Sequence, residues 1–222
     1  VGLIFPGWEI KIMEEKNGVV TSDKPLPPGK QGMIYVRGPQ LMKGYYKRPD
    51  LTEKALDSEG YFNTGDIGIM TLDNEIKITG RAKDTIVLLG GENVEPAVLE
   101  SALCGDPLIE SAMIVGQDKR ALGALIVPSK EVVEEYAKAE GLDVSDYPAL
   151  LKNEKVHTYI YDKVSSIINP ANGFRSCERI GKIGLISESF KIGVELSAKQ
   201  EMMRYKISEE YADLIASLFV EG

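Results

Sequence analysis

From Gly2 to Thr79 the apolar residues fall in short, interrupted runs: "LIFPGWEIKIM", "GMIYVRG", "YFNTG" and "DIGIMTLDNEIKITG". Their alternation has a period of two and breaks at Gly, Pro, Asp and Asn, which predicts small antiparallel strands joined by tight turns, with a hairpin at "TLDNEI". "DLTEKALDSEG" is the exception, a short helix capped by Asp50 or Thr52 and ending near Gly60. Past Arg81 the texture changes, and helical periods alternate with β-branched runs. The expected elements are a strand at 85–89, a helix over Pro96–Leu103, strands at 110–116 and 122–127, and a helix over 129–140. Pro96 suits a helix start because that position needs no amide donor. "LKNEKVHTYIYDKVSSIIN" sets Val156, Ile160, Val164, Ile167 and Ile168 on one helical face. "KIGLISESFKIG" reads as a pair of strands. From about Lys199 the tail reads as a helix whose Tyr211, Leu214, Ile215 and Leu218 face a core.

The fold class that follows is α+β, with a small β-rich unit over residues 1–82 and then an α/β unit over 83–222 whose small sheet is flanked by helices. The boundary rests on the change of texture, since no repeat and no low-complexity linker marks it. With 222 residues, 43% hydrophobic and 27% charged, the chain has the material for a sizeable core. A formal charge of -8 argues against a general nucleic-acid or anionic-membrane surface, because such partners need a positive field. Anionic ligands must then be met by local lysines and arginines. Cys104 and Cys177 show no metal-ligand spacing and no disulfide framework, so a reduced, cytoplasmic setting is expected. No apolar run reaches membrane-spanning length and no leader pattern is seen. Peripheral contact with a membrane stays open. The chain starts without Met, inside what reads as a strand, which points to a fragment.

Several residues that could carry chemistry read more simply as structure. His157 is the single histidine and has no second base or metal ligand near it in sequence, so it is assigned to packing. Trp8, Tyr35 and Tyr161 are read the same way, and the acidic stretch 134–146 as a solvated face and loop. "FNTGD" is ambiguous alone. Asn63, Gly65 and Asp66 are ordinary turn formers, yet an ionised Asp66 offers two acceptor oxygens that suit the neighbouring hydroxyls of a ribose.

The order of motifs is more specific than any one of them. "GYYKRPDLTEKAL" at 44–56 precedes "FNTGD"; then come "ITGRAKD" at 78–84, "LLGGENVEP" at 88–96 and "FKIGVELSAKQEMMR" at 190–204. In this set the sequence resembles the adenylate-forming superfamily, and within it the long-chain acyl-CoA synthetases. The resemblance covers nearly the whole chain but only the C-terminal part of the family's sequence. It implies a large N-terminal domain that ends in a small distorted β-barrel, followed by a hinge and a mobile C-terminal domain. It also implies ATP, a fatty acid and coenzyme A as substrates, with Mg2+ held by residues outside this chain. The acid is joined to AMP, pyrophosphate leaves, and the acyl group passes to the CoA thiol.

Carried over position by position, Asp66 resembles the carboxylate that accepts from the AMP ribose, and Arg81 the arginine that supports it with a fixed donor fork. Lys83 falls at the family's hinge, where one residue's dihedrals absorb a domain rotation. Gly90 and Gly91 resemble the loop that meets pantetheine, their missing Cβ atoms permitting close backbone approach. Two departures stand out. The Ser/Thr/Gly-rich phosphate loop is absent, so the remainder of the N-terminal domain is expected to lie outside this chain and the chain alone to be inactive. The family's catalytic lysine aligns without gaps with Glu201, which leaves Lys199, two residues earlier, as the candidate cation. Two alternatives stay open: another adenylate-forming enzyme such as an aryl-CoA ligase, and a non-catalytic nucleotide-binding or scaffolding module of the same fold.

Overall fold

The computed structural model describes residues 2–16 and 18–220. The chain divides into two compact units, 1–85 and 86–222. In the first, strands β1 (Gly2–Leu3), β2 (Glu9–Lys16), β3 (Val19–Pro25) and β4 (Gln31–Arg37) are followed by helix α1 (Pro49–Ala55) and strands β5 (Phe62–Met70) and β6 (Glu75–Arg81). The six strands form one sheet in the order β1-β6-β5-β4-β2-β3, and every pairing is antiparallel. Alternation along the strands sends Ile12, Ile34 and Ile76 into one cluster and Met13, Met33 and Ile67 into another, as the pleat requires. Helix α1 differs from expectation at its start. Neither Asp50 nor Thr52 caps it; Thr52 lies inside the helix, where its hydroxyl donates to Arg48 O and accepts from the N–H of Tyr45.

In the second unit a short hairpin, β7 (Ile86–Val87) with β8 (Asn93–Val94), leads into helix α2 (Pro96–Leu103). Strands β9 (Ile109–Val115) and β10 (Leu122–Pro128) follow, then helices α3 (Lys130–Ala139), α4 (Tyr147–Leu150) and α5 (Glu154–Ile167), strand β11 (Ile180–Leu185), and helices α6 (Arg204–Glu210) and α7 (Ala212–Leu218). The sheet order is β11-β10-β9, with β10 antiparallel to β9 and parallel to β11. All seven residues of β10 are buried because both faces of the sheet are covered. Leu122, Ala124 and Ile126 pack in the cluster that contains Leu99 and Leu103 of α2, Val133 of α3, and Val156, Ile160 and Val164 of α5. Leu125 and Val127 pack on the other side with Ile207 of α6 and Leu218 of α7. The rings of Tyr136 and Tyr159 stack 3.9 Å apart and join α3 to α5.

Two tail readings are corrected. "KIGLISESFKIG" contributes one strand, not two: β11 stops at Leu185, opposite Ile126, with the Ile186 N–H still donating to Ile126 O at 2.9 Å, and beyond that β10 offers Pro128, which has no N–H. The tail helix begins at Arg204, not Lys199, and is interrupted at Tyr211.

Tyr147 gives this unit a measurable alkaline limit. Its hydroxyl donates to Pro128 O at 3.2 Å in a site where the residue is 7% exposed, and burial, with Glu134 and Glu110 adding to it, pushes the phenol up to about 12. An unfolded tyrosine ionises near 10, so the folded state holds the extra proton in between. This contribution is intact below about pH 10 and is lost as pH rises through the folded value of about 12. Urea midpoints measured from pH 9 to 11.5 are expected to fall more steeply for the natural chain than for Tyr147→Phe; parallel curves would refute the assignment.

Candidate functional site

The "NTGD" segment is not a turn between strands but a bulge within β5. Tyr35 of β4 pairs with Asn63 and Met33 with Ile67, so three residues of β5, Thr64 to Asp66, stand opposite Ile34 alone. The extra length is held by side chains. Thr64 Oγ1 donates to Ile34 O at 2.9 Å and accepts from the Asp66 N–H at 3.0 Å, while Asn63 Oδ1 accepts from the Gly65 N–H at 2.9 Å. Gly65 has φ of +72°, a conformation that L side chains rarely adopt, and its carbonyl accepts from the Ala82 N–H at 3.0 Å. Bulges of this kind re-aim side chains and recur beside active sites.

The bulge sets Asp66 directly across from Arg81 at the end of β6, and Arg81 Nε meets Asp66 Oδ1 at 3.2 Å. The Asp66 side chain is 23% exposed and that of Arg81 is 56% exposed. Arg81 also lines a cleft of about 390 Å³ with Gly18, Met33, Asn63, Thr64, Gly65, Ala82 and Lys83. Its size falls within the usual range for small-molecule sites, about 300–1,000 Å³. Asp66 is not one of its walls but pairs with Arg81, which is. Lys83 lies in the turn after β6, where the N–H groups of Asp84 and Thr85 both donate to Arg81 O.

The approach to the bulge is braced by residues that the sequence did not single out. Lys11 Nζ meets Asp57 Oδ2 at 2.6 Å and Glu59 Oε2 at 2.9 Å, and sits 4.1 Å from the centre of the Tyr61 ring, with the Arg37 guanidinium 4.4 Å from the same ring. Burial works against the charges of this pair. Hydrogen bonds outweigh it, so the Asp57 carboxyl is held below its ordinary value and the Lys11 ammonium above. The signal was faint: an acidic pair just before "YF", with a partner 46 residues upstream.

In the second unit, Gly90 and Gly91 form the tip of the β7–β8 hairpin. The N–H of Gly91 donates to Leu88 O at 2.8 Å and that of Leu88 to Glu92 O at 3.0 Å. Gly91 has φ of +85° and open space where a Cβ would stand; a Cβ on Gly90 would meet the flexible end of Glu92. Lys199 occupies a separate hairpin, 195–203, in which Ser197 N–H donates to Glu201 O at 2.8 Å and Met203 N–H to Glu195 O at 2.8 Å. Lys199 and Glu201 are both exposed on it. Asp66, Arg81 and Lys83 therefore gather in one unit, Gly90, Gly91 and Lys199 in the other. His157 Nε2 lies 3.4 Å from Ile183 O, and both cysteines are free.

Asp66 and Arg81 set carboxylate acceptors beside guanidinium donors. A divalent metal finds no comparable cage: among the described residues no group of three or more His, Cys, Asp or Glu side chains is arranged to hold one. Nor, among the described residues, is any helix long and apolar enough to cross a membrane.

A six-stranded antiparallel sheet followed by a helix-flanked small sheet is a fold shared with known adenylation domains. Residues 83–221 match the AMP-binding enzyme C-terminal domain, and the chain belongs to that family. Over 99% of its length it is 35% identical to a probable chloroplastic acyl-activating enzyme of Arabidopsis thaliana, of which it spans 30%. Over 56% of its length it is 47% identical to a chloroplastic long-chain-fatty-acid ligase of the same plant, whose named acceptor is acyl-carrier-protein, and it spans 18% of that enzyme. The adenylation domain of a carboxylate reductase from Mycobacterium chelonae superposes with a TM-score of 0.78 at 25% identity, covering 97% of this chain and 32% of the reductase chain. The chain thus spans less than a third of the curated relatives named here.

Proposed function

We propose that this chain works within an ATP-dependent long-chain fatty acid ligase, supplying the ribose-binding end of the nucleotide site and the mobile part that follows it. The observation that carries the reading is the Asp66–Arg81 pair, fixed by a side-chain-locked bulge beside a cleft of about 390 Å³. With Oδ1 engaged by Arg81, Asp66 accepts from the ribose hydroxyls chiefly through Oδ2, and the arginine holds the carboxylate in orientation. ATP supplies the leaving pyrophosphate, and Lys199 neutralises charge that develops between phosphate and carboxylate. Lys83 is the hinge between the half-reactions, and the Gly90–Gly91 tip leaves room for the pantetheine of the acceptor. Coenzyme A is the acceptor proposed. The same arm is carried by acyl-carrier-protein, the named acceptor of one relative, and offering both thiols to the enzyme separates the two.

Lys83→Pro in the ligase that carries this chain tests the reading. Proline fixes φ near −65°, so acid-dependent exchange of pyrophosphate into ATP should survive better than thioester formation. Equal loss of both half-reactions would point to misfolding and count against the hinge. A second reading, a nucleotide-binding module that has given up adenylation, is favoured by Glu201 at the family's lysine position. For that module, ATP binds but no acid supports pyrophosphate exchange.

A further inference from the structure

Glu100 of α2 is a carboxylate only 6% exposed, buried where an apolar helix face would place a leucine. Its Oε1 accepts from the N–H of Ile114 at 2.7 Å and from Arg204 Nη1 at 2.6 Å, and Arg204 Nη2 donates to the carbonyl of the same Ile114 at 2.6 Å. Ile114 lies on β9, the last strand of its sheet, and pairs with Ala124 of β10 on the inner side. The acid and the guanidinium together therefore take up the donor and the acceptor that Ile114 turns to the sheet edge. Such a fork needs the planar geometry of arginine.

Arg204 is also the residue at which the Lys199 hairpin ends and α6 begins. One residue earlier, Met203 closes the hairpin base onto Glu195 O, and Glu195, itself 5% exposed, accepts from the N–H of Lys191 at 2.8 Å through Oε2. The tip is set locally: Ser197 Oγ accepts from the N–H groups of Lys199 and Glu201, both at 3.2 Å, and Gln200 has φ of +62°. The tip is thus ordered by itself; the hairpin meets the sheet through the apolar side chains of Leu196 and Met202, which pack on the cluster of Met113, Val115, Leu125 and Val127, and through the polar fork of Arg204. We propose that Glu100 and Arg204 are positioning residues that anchor the Lys199 hairpin to the edge of β9 and so set where its cation stands during adenylate formation. The catalytic half of this statement rests on the function proposed above; the anchoring half does not.

The test uses three variants of the full chain and of the ligase that carries it. Arg204→Met removes the fork, Arg204→Lys keeps the charge but offers a single point donor, and Glu100→Gln keeps an acceptor for Ile114 while removing the charge. Amide hydrogen exchange at Ser197, Gln200, Glu201 and Met203 is expected to quicken about tenfold or more in Arg204→Met, as for a locally opened segment. Arg204→Lys and Glu100→Gln should fall between this and the natural chain, and the amides of Ala124 to Ile126 in β10 should keep their protection. In the ligase, the rate constant for acyl-adenylate formation should fall about 10- to 100-fold in Arg204→Met, the scale of a misplaced group. The KM for ATP and thioester formation from preformed acyl adenylate should be unchanged. Hairpin exchange that does not change, or that quickens equally with β10, overturns the anchoring. A loosened hairpin with normal adenylation, in an enzyme that Lys199→Ala disables, overturns the positioning role. If Lys199→Ala is itself silent, the proposed function is what fails, and the exchange result alone decides the anchor.

Discussion

Lys199→Ala, in the proposed full-length ligase, is expected to lower acyl-adenylate formation by about two to three orders of magnitude, the scale for removing one preorganised donor at a transition state. Lys199 is exposed on its hairpin, so alanine removes the cation without opening a cavity, and the chain should melt as before. Thioester formation from preformed acyl adenylate should largely survive, because the proposed rotation takes this hairpin away from the nucleotide before the acceptor thiol attacks. Glu201→Lys is the complementary variant. Position 201 lies where the hairpin closes, with its carbonyl on Ser197 N–H, and position 199 lies closer to the tip. A cation at 201 is thus presented from a different point of the same turn. If Lys199→Ala leaves adenylation intact while Glu201→Lys raises it, Lys199 is not the cation and the natural chain is one weakened at this hairpin.

Asp66→Ala should weaken ATP and acyl-adenylate binding by about 1.5 to 3 kcal/mol, the loss expected for hydrogen bonds to a charged group. The effect on folding should be much smaller. The Arg81 guanidinium left behind is 56% exposed, so water can solvate it, and exposed ion pairs contribute at most about 1 kcal/mol. Isothermal titration with ATP, set beside thermal melting of the same variant, separates the two. Unchanged affinity would remove Asp66 from the ribose site. Lost affinity together with a collapsed melting temperature would mean that the carboxylate braces the bulge and nothing more.

Most of the sheet in the first unit could be read from period-two alternation, because each strand buries one face. The bulge could not. Asn63, Thr64 and Gly65 have turn chemistry, and here that chemistry is spent inside a strand, where only the pairing with Ile34 distinguishes a bulge from a turn. The helices α2, α3 and α5 were legible for the same reason as the strands, since each buries a single apolar stripe. The tail was misread between Lys199 and Met203 because Ser197 competes for backbone N–H groups that a helix would use and Gln200 takes a left-handed conformation. Glu100 went unnoticed although its spacing from Pro96, Leu99 and Leu103 puts it on the buried stripe of α2, because a charged residue there has no visible partner in the local sequence. Its burial is decided by Arg204, 104 positions away. The motifs marked by the family resemblance are short, and local contacts such as Thr64 on Asp66 and Ser197 on Lys199 set their tips; the contacts that fix them to the rest of their unit, such as Thr64 on Ile34 and Arg204 on Ile114, are long-range, and sequence spacing does not encode those.

The parallel pairing of β10 with β11 has a consequence for how the second unit is made. β9 and β10 are neighbours in sequence and can pair as soon as both have left the ribosome, but β11 follows only after residues 129–179. At about 5–20 residues per second that interval lasts roughly three to ten seconds. Throughout it the strand destined to be buried on every side has one flank without a partner, and the helices α6 and α7 that cover its second face do not yet exist. An unpaired apolar strand is a template for other chains. Early in that time only α2, and then α3, can cover the opposite face, since α5 is completed about three-quarters of the way through it.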